Sequence, residues 1–126
     1  MPADRILIVD DNLVNQKLVR VLLEHEGHEV RTAADAEEAL QVIPIFQPRL
    51  ILMDIQLPGM DGLELTRRLK ADPATRDTIV LAVTAYAMKG DEEKAAAAGC
   101  DGYVTKPIDT RTLGDLLARH LAARRP

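Results

Sequence analysis

The sequence predicts an α/β fold in which five parallel strands form a doubly wound sheet covered by five helices. Five short apolar runs alternate along the chain with five stretches that favour helix. The central apolar run has no polar alternation, which is typical of a strand buried on both faces of a parallel sheet. Polar residues follow several of the runs, and the carboxyl ends of parallel strands meet at one sheet edge. The pattern therefore predicts a single domain over residues 1–126 with a candidate site at that edge.

The first strand is the apolar run Ile6–Val9, which two acids follow directly. Asn12 is a good N-cap for the first helix, and Gly27 ends this helix where a left-handed residue is expected. The residues that define the apolar face of the helix are Val14, Leu18, Val21 and Leu22. A short second strand, Glu29–Ala33, is predicted next.

Asp35 and Glu38 resemble a capping box at the start of the second helix. The apolar face of this helix consists of Ala36, Ala39, Leu40 and Ile43. Pro44 should end the helix or kink it, because proline lacks the N–H that a helix interior requires.

The central stretch is Leu50–Gly62, in which four apolar residues lead straight to Asp54. A helix of similar hydrophobicity is the competing interpretation of this short run. The break at Pro58 and Gly59 favours a strand, as does Asp61, which is placed to cap the third helix over residues 61–71.

After a break at Asp72–Pro73, the run Ile79–Val83 predicts a fourth strand that ends at Thr84. The fourth helix, Met88–Ala98, is alanine-rich and weakly amphipathic, so we expect it to be the least firmly packed. Gly99 ends it, and a fifth strand follows at Gly102–Thr105.

Lys106 and Pro107 come directly after the fifth strand, and Asp109 is predicted to cap the last helix. The residues expected on the inner face of that helix are Leu113, Leu116, Leu117 and Leu121.

Composition excludes several classes of function. A net charge of -4 argues against a charge-driven nucleic-acid binder, and 2% aromatic residues argue against base stacking. Cys100 is the one cysteine, so an internal disulfide is impossible and a reducing compartment is favoured. The chain has no leader pattern and no apolar run near the roughly 18 residues of a membrane span. We therefore expect a soluble cytoplasmic protein without nucleic-acid or membrane partners.

The residues expected at the carboxyl edge of the sheet are Asp10, Asp11, Asp54, Thr84 and Lys106. Three carboxylates repel one another, and a hard cation such as Mg²⁺ relieves that repulsion. A lysine and a hydroxyl beside a metal suit the oxygens of a transferring phosphoryl group. Asp54 is the predicted nucleophile, because its strand lies between the acid pair and the Thr84–Lys106 pair.

These residues, read with their neighbours, resemble one family. The matching stretches are Asp10–Asp11, Asp54 within MDIQLPGMDG, Thr84 in VTA, and Lys106–Pro107 in YVTKPI. In this order the chain resembles, over essentially its whole length, a response-regulator receiver domain with the flavodoxin-like fold of CheY. The resemblance implies the strand order 2-1-3-4-5. The segments DIQLPGMDGLE and TAYAMKGDEE are similar to the corresponding segments of single-domain receivers of the DivK type and of hybrid-kinase receivers.

The resemblance implies that Asp54 accepts a phosphoryl group from a phosphohistidine of a sensor kinase or histidine phosphotransfer protein. It implies an Mg²⁺ or Mn²⁺ site in which Asp11, Asp54 and the main-chain carbonyl of Gln56 are ligands. Asp10 acts in that site mostly through water. Gln56 and Tyr86 occupy the two positions that tune hydrolysis of the aspartyl phosphate.

The resemblance further implies that Thr84 and Lys106 bind phosphoryl oxygens. Tyr103 matches the switch aromatic, which turns inward when Thr84 moves toward the phosphate. The bond between Lys106 and Pro107 is expected to be cis, and the small Ala85 leaves the acceptor accessible.

The resemblance implies that the chain is a signalling switch rather than a dedicated enzyme. It would act on a separate output protein through the surface of its fourth helix, fifth strand and fifth helix, as a monomer or weak dimer. The competing enzyme is a phosphohydrolase of the haloacid-dehalogenase type, which needs a second acid two residues after the nucleophile. Gln56 stands at that position after Asp54, which counts against this alternative. A docking module that is never phosphorylated also stays open.

Overall fold

Five parallel strands form one sheet, and helices connect them. The structure is a computed structural model that describes residues 4–57, 59–84, 89–106 and 108–124. The strands are β1 (Arg5–Val9), β2 (Glu29–Ala33), β3 (Leu50–Asp54), β4 (Ile79–Thr84) and β5 (Gly102–Thr105). The helices are α1 (Leu13–His25), α2 (Ala36–Phe46), α3 (Gly62–Ala71), α4 (Lys89–Ala98) and α5 (Leu113–Arg124). The strand order is β2-β1-β3-β4-β5, which confirms the predicted fold class and order.

Alternate residues of the inner strands pack into two separate cores, one on each face of the sheet. On the α1 and α5 side the core contains Ile6, Ile8, Leu50 and Leu52, with Val19, Leu23, Leu113, Leu117 and Leu121 from the helices. On the α2 and α3 side it contains Leu7, Val9, Ile51 and Met53, with Ala36, Ala39, Ile43, Leu65 and Leu69 from the helices. Both faces are covered, which is why these strands are apolar without alternation.

Side chains cap the first three helices as the sequence predicts. Asn12 accepts hydrogen bonds from two main-chain N–H groups of the first turn of α1, each at 3.0 Å. Asp35 and Asp61 accept one each at 2.8 Å, at the starts of α2 and α3. Asp109 differs, because its carboxylate accepts from Arg111 N at 2.9 Å in a turn that precedes α5. The last helix therefore begins later than a cap at Asp109 would place it.

The predicted apolar face of α1 is wrong for three of its four residues. The side chains of Val14, Leu18 and Val21 lie in solvent, and Leu22 is half-buried. The residues that α1 buries against the sheet are Gln16, Val19 and Leu23. Helical spacing identifies rows of apolar residues, but α1 has apolar residues in both rows, and spacing alone does not say which row contacts the sheet.

The end of α2 also differs from the prediction. The helix continues through Pro44 to Phe46, and it ends where Gln47 adopts a left-handed conformation with φ of 52°. Leu40, which was placed on the inner face, is exposed, whereas Phe46 is buried. Pro44 is exposed on the outside of the helix, where solvent can reach the carbonyl group that its missing N–H would have bonded.

The last two helices are held by different side chains. Leu113, Leu117 and Leu121 of α5 are buried as predicted, whereas Leu116 is half-buried. Among the described side chains of α4, the buried ones are Ala95 and Ala98. Neither helix, nor any other in the described part of the chain, is long and apolar enough to cross a membrane.

Candidate functional site

The register of the sheet brings the predicted strand-end residues to one edge. Val9 is paired with Met53, so Asp10 and Asp54 follow at the same level on neighbouring strands. Thr84 is the last residue of β4 and is paired with Thr105 of β5, and the main-chain N–H of Lys106 donates to Thr84 O at 2.7 Å. The sheet thus places residues from four strand ends together, as the sequence predicts.

Three carboxylates form the centre of this site. One oxygen atom from each of Asp10, Asp11 and Asp54 lies within 4.8 Å of the others. Asp10 is 5% exposed and Asp54 3% exposed, whereas Asp11 is open to solvent. Two buried acids beside a third would repel one another strongly unless a cation lay close by.

Lys106 supplies positive charge to the buried pair. Its Nζ donates a hydrogen bond to Asp54 Oδ2 at 2.8 Å and lies 3.5 Å from Asp10 Oδ2. The lysine side chain is 20% exposed, so the ammonium lies between the acids and solvent.

The pKa values of the site reflect burial and charge together. Burial raises the pKa of the Asp10 carboxyl, and the bond from Asn12 and the charge of Lys106 offset part of this rise. Burial alone would lower the pKa of Lys106, but the hydrogen bond and charge of Asp54, with the Asp10 carboxylate, outweigh it and raise that pKa. The raised pKa of Asp10 thus comes chiefly from burial, whereas that of Lys106 comes from the two carboxylates beside it.

Main-chain N–H groups orient the two buried carboxylates. Asp54 Oδ1 accepts from the N–H of Gln56 at 2.8 Å, and Asp10 Oδ1 accepts from the N–H of Asn12 at 2.9 Å. Each carboxylate therefore has one oxygen held by the loop after its strand. The other oxygens, Oδ2 of Asp54 and Oδ2 of Asp10, face Lys106.

The remaining predicted residues have different settings. Thr84 is fully buried, Gln56 is exposed, and Tyr103 is half-buried on β5 in register with Ala82. Three further predictions, those on Ala85, Tyr86 and Pro107, fall outside the described residues, as do those on Pro58 and Met88.

Two contributors to the site were missed. Gly62 begins α3 so close to β3 that a Cβ atom there would overlap the main-chain oxygen of Asp54. Gln16 is buried under the loop after β1, and its Nε2 donates to Asp10 O. In the sequence, the feature that could have indicated the role of Gln16 is a single amide residue in the same helical row as Val19 and Leu23.

The donor set fits a hard divalent cation. In the described cluster the candidate ligand atoms are carboxylate oxygens, and one of the three carboxylates, that of Asp11, is open to solvent. Mg²⁺ usually takes a few carboxylates and keeps several waters. Soft metals would require thiolate or imidazole, and neither is part of the described cluster. The same edge has a lysine ammonium, so a cation and Lys106 together would neutralise an incoming phosphoryl group.

Residues 6–118 match the response regulator receiver domain family. The chain belongs to this family, whose members are regulators of two-component signalling that are generally phosphorylated on aspartate and bind Mg²⁺.

Individual relatives agree with the family. The chain is 50% identical over 103 residues to the polar-differentiation response regulator DivK of Brucella anthropi, covering 82% of this chain and 84% of that protein. A CheY-like receiver domain from Methanospirillum hungatei superimposes with a TM-score of 0.90 at 34% identity, covering 98% and 97% of the two chains. The receiver domain of a sensor histidine kinase from Pseudomonas aeruginosa, with a magnesium ion coordinated in its active-site cleft, gives 0.87 at 34% identity, covering 96% and 99%.

Proposed function

We propose that Asp54 is the phosphoacceptor of this receiver, and that it takes its phosphoryl group from a phosphohistidine of a sensor kinase or phosphotransfer protein. The observation that supports this most directly is the contact of a buried Asp54 carboxylate with Lys106 at 2.8 Å, beside two further acids. A carboxylate that is buried and bonded to the Lys106 ammonium has the setting of a reactive group, whereas an ordinary surface carboxylate is exposed to water.

In the proposed reaction, an Asp54 oxygen attacks phosphorus while the bond from phosphorus to the histidine nitrogen breaks. The electron pair of that bond stays on the imidazole, and Asp54 becomes a mixed anhydride. Lys106 then leaves the Asp54 oxygen for a phosphoryl oxygen, and the Thr84 hydroxyl donates to another. An Mg²⁺ ion held directly by Asp11, Asp54 and the Gln56 carbonyl, and by Asp10 mostly through water, would supply positive charge to the same oxygens.

The same movements would change the surface of the protein. Phosphorylation adds charge and acceptor oxygens, which draw Thr84 and Lys106 toward Asp54. Tyr103 lies one residue before the Val104–Val83 pair on the edge strand, where it would turn inward as Thr84 moves. We infer that the altered surface comprises α4, β5 and α5 and that it acts on a separate output protein.

An exposed apolar surface beside the acids supports a protein donor. The α1 outer patch consists of Leu13, Val14, Leu18 and Val21. Val14 alone is 76% exposed, and the patch begins two residues after Asp11. A contiguous exposed apolar patch often marks a site of protein–protein interaction. A phosphohistidine protein that covered this patch would lie beside Asp11, whose carboxylate is close to that of Asp54.

Mass spectrometry tests the phosphoacceptor. The chain is incubated with Mg²⁺ and acetyl phosphate, and intact mass is recorded for wild type, Asp54→Asn and Asp61→Asn, the last being an exposed acid that caps α3. We expect one phosphoryl group, removed by hydroxylamine, on wild type and Asp61→Asn only. Phosphorylation of Asp54→Asn at the wild-type rate would show that the acceptor is another residue.

A comparison of two donors tests the protein partner. We expect the double variant Val14→Ser/Leu18→Ser to take phosphate from acetyl phosphate normally. Its transfer from a phosphohistidine protein that phosphorylates wild type should be at least about 10-fold slower, which corresponds to roughly 1.4 kcal/mol. Ile45→Ser is the matched control, because Ile45 is 88% exposed on α2 and outside the patch. Equal transfer to all three proteins would rule out the patch as the docking surface.

A further inference from the structure

Gln16 is a buried amide where α1 contacts the sheet. It lies in the same row as Val19 and Leu23, and its neighbours in that row are apolar. A buried amide is costly unless its hydrogen-bonding groups are paired, so its partners indicate its role.

The side chain of Gln16 bonds the ends of two neighbouring strands. Its Nε2 donates to the main-chain oxygen of Asp10 at 2.5 Å and to that of Ala33 at 3.3 Å. Ala33 O also accepts from Asp10 N at 3.0 Å, which is the last main-chain bond between β1 and β2 at this edge. The Gln16 amide therefore bridges the ends of β1 and β2 at the point where the loop with Asp10 and Asp11 begins.

The same loop is bonded at its other end. Asp10 Oδ1 accepts from Asn12 N at 2.9 Å, and Gln16 N donates to Asn12 O at 3.0 Å. Asp11 lies between these bonded residues, and its main chain follows the peptide group whose oxygen Gln16 holds. The direction of the Asp11 carboxylate thus depends on a peptide plane that Gln16 fixes.

We propose that Gln16 is a positioning residue for the cation site, acting through the Asp10–Asp11 peptide group. The inference rests on the proposed metal-assisted phosphorylation of Asp54. A fixed peptide plane holds two of the three carboxylates in the geometry that the cation requires, so less order has to be imposed when the cation binds.

Calorimetric titration with MgCl₂ tests this role. Gln16→Met keeps the length of the side chain but has no N–H donor, and we expect its Kd for Mg²⁺ to rise about 10-fold. Thr75→Val is the matched control, because Thr75 Oγ1 donates to the main-chain oxygen of Leu69 in α3. Thr75 lies in the turn before β4, at the opposite end of that strand from the acids. Both variants lose a bond to a carbonyl group, but only the first should lose Mg²⁺ affinity. Wild-type affinity in a folded Gln16→Met would overturn the proposal, as would failure of wild type to bind Mg²⁺.

Wild-type NMR keeps the test decisive if Gln16→Met does not fold. The side-chain amide signals of Gln16 should shift during Mg²⁺ titration with the Kd of the protein, whereas those of the exposed Gln41 and Gln47 should not. Unmoved Gln16 signals at saturation would overturn the proposal. If wild type binds Mg²⁺ but neither acetyl phosphate nor a phosphohistidine protein modifies it, the proposed function fails, and the affinities of the variants still decide the role of Gln16.

Discussion

Replacement of Lys106 by methionine should destabilise the protein in a way that depends on Mg²⁺ and pH. At an effective dielectric constant of about 20, the contacts to Asp54 at 2.8 Å and Asp10 at 3.5 Å correspond to Coulomb energies of roughly 6 and 5 kcal/mol. Desolvation of the charged groups offsets most of that sum, and loss of one partner of a fully buried pair costs roughly 3–5 kcal/mol. Because the Lys106 side chain is 20% exposed, we expect a loss of about 2 kcal/mol at pH 7 without Mg²⁺.

Urea unfolding followed by far-UV circular dichroism measures this loss. The Lys106→Met deficit should shrink when Mg²⁺ is added, because the metal supplies the missing positive charge. Lys70→Met is the matched control, since Lys70 pairs with Asp101 at 2.9 Å and is 17% exposed. Its deficit should be the same with and without Mg²⁺.

The pH dependence has a definite sign. Burial raises the pKa of Asp10 in the folded state, so its charge is a cost at neutral pH that is relieved as pH falls toward the ordinary value of 3.8. The Lys106→Met deficit should therefore decrease as pH is lowered from 7. The pKa of Lys106 is raised in the folded state, so its contribution is complete below its ordinary value of 10.5 and is lost as pH rises through the higher folded value.

A double-mutant cycle decides whether the ion pair is the cause. In an Asp54→Asn background, Lys106→Met should cost at least about 1 kcal/mol less than it does in wild type. Losses that agree within about 0.5 kcal/mol in the two backgrounds would refute the reasoning, because the energy would then arise from packing of the lysine stem.

Three further predictions test individual parts of the structure. Gly62→Ala should destabilise the protein by roughly 1–3 kcal/mol in urea unfolding, although alanine favours helix, because its Cβ would overlap the main-chain oxygen of Asp54; a stabilised variant would contradict that close approach. Asn12→Ala should cost about 1 kcal/mol in the same assay, since two N–H groups of α1 lose their acceptor; an unchanged unfolding midpoint would show that water replaces the cap. Burial raises the pKa of the Cys100 thiol, so iodoacetamide at pH 8 should alkylate the folded chain at least about 10-fold more slowly than the chain in urea; equal rates by mass spectrometry would contradict the burial.

The fold and the acid cluster were predictable because each depends on a strong local signal. Apolar runs such as Leu50–Met53 predict buried strands, and an acid directly after such a run lies at the strand end whatever the helices do. Asp10 lies beside Asp54 because Val9 of β1 is paired with Met53 of β3. The neighbouring order itself came from resemblance, since alternation of strands and helices is compatible with several orders.

The errors lie where two local signals compete. In α1, the row of Val14, Leu18 and Val21 is as apolar as the row of Val19 and Leu23, so spacing could not decide which row packs inward. The role of Gln16 could not be predicted, because it depends on the positions of main-chain oxygens in a different strand. Position mattered for Pro44 of α2, since a proline on the solvent side of a last turn interrupts less than one in a buried interior.

The residues of the site come both from inner strands of the sheet and from the end of an edge strand. Asp10 and Asp54 belong to β1 and β3, which have a bonded strand on either side, whereas Lys106 follows β5, an edge strand of four residues that is bonded to β4 alone. A partial opening that separates β5 from β4 would remove the ammonium and leave the carboxylates in place. Native-state amide exchange should therefore show that the main-chain N–H of Lys106, which donates to Thr84 O, exchanges through an opening of lower free energy than global unfolding. Such openings would briefly free Asp54 from its counter-ion while the cation site stayed assembled.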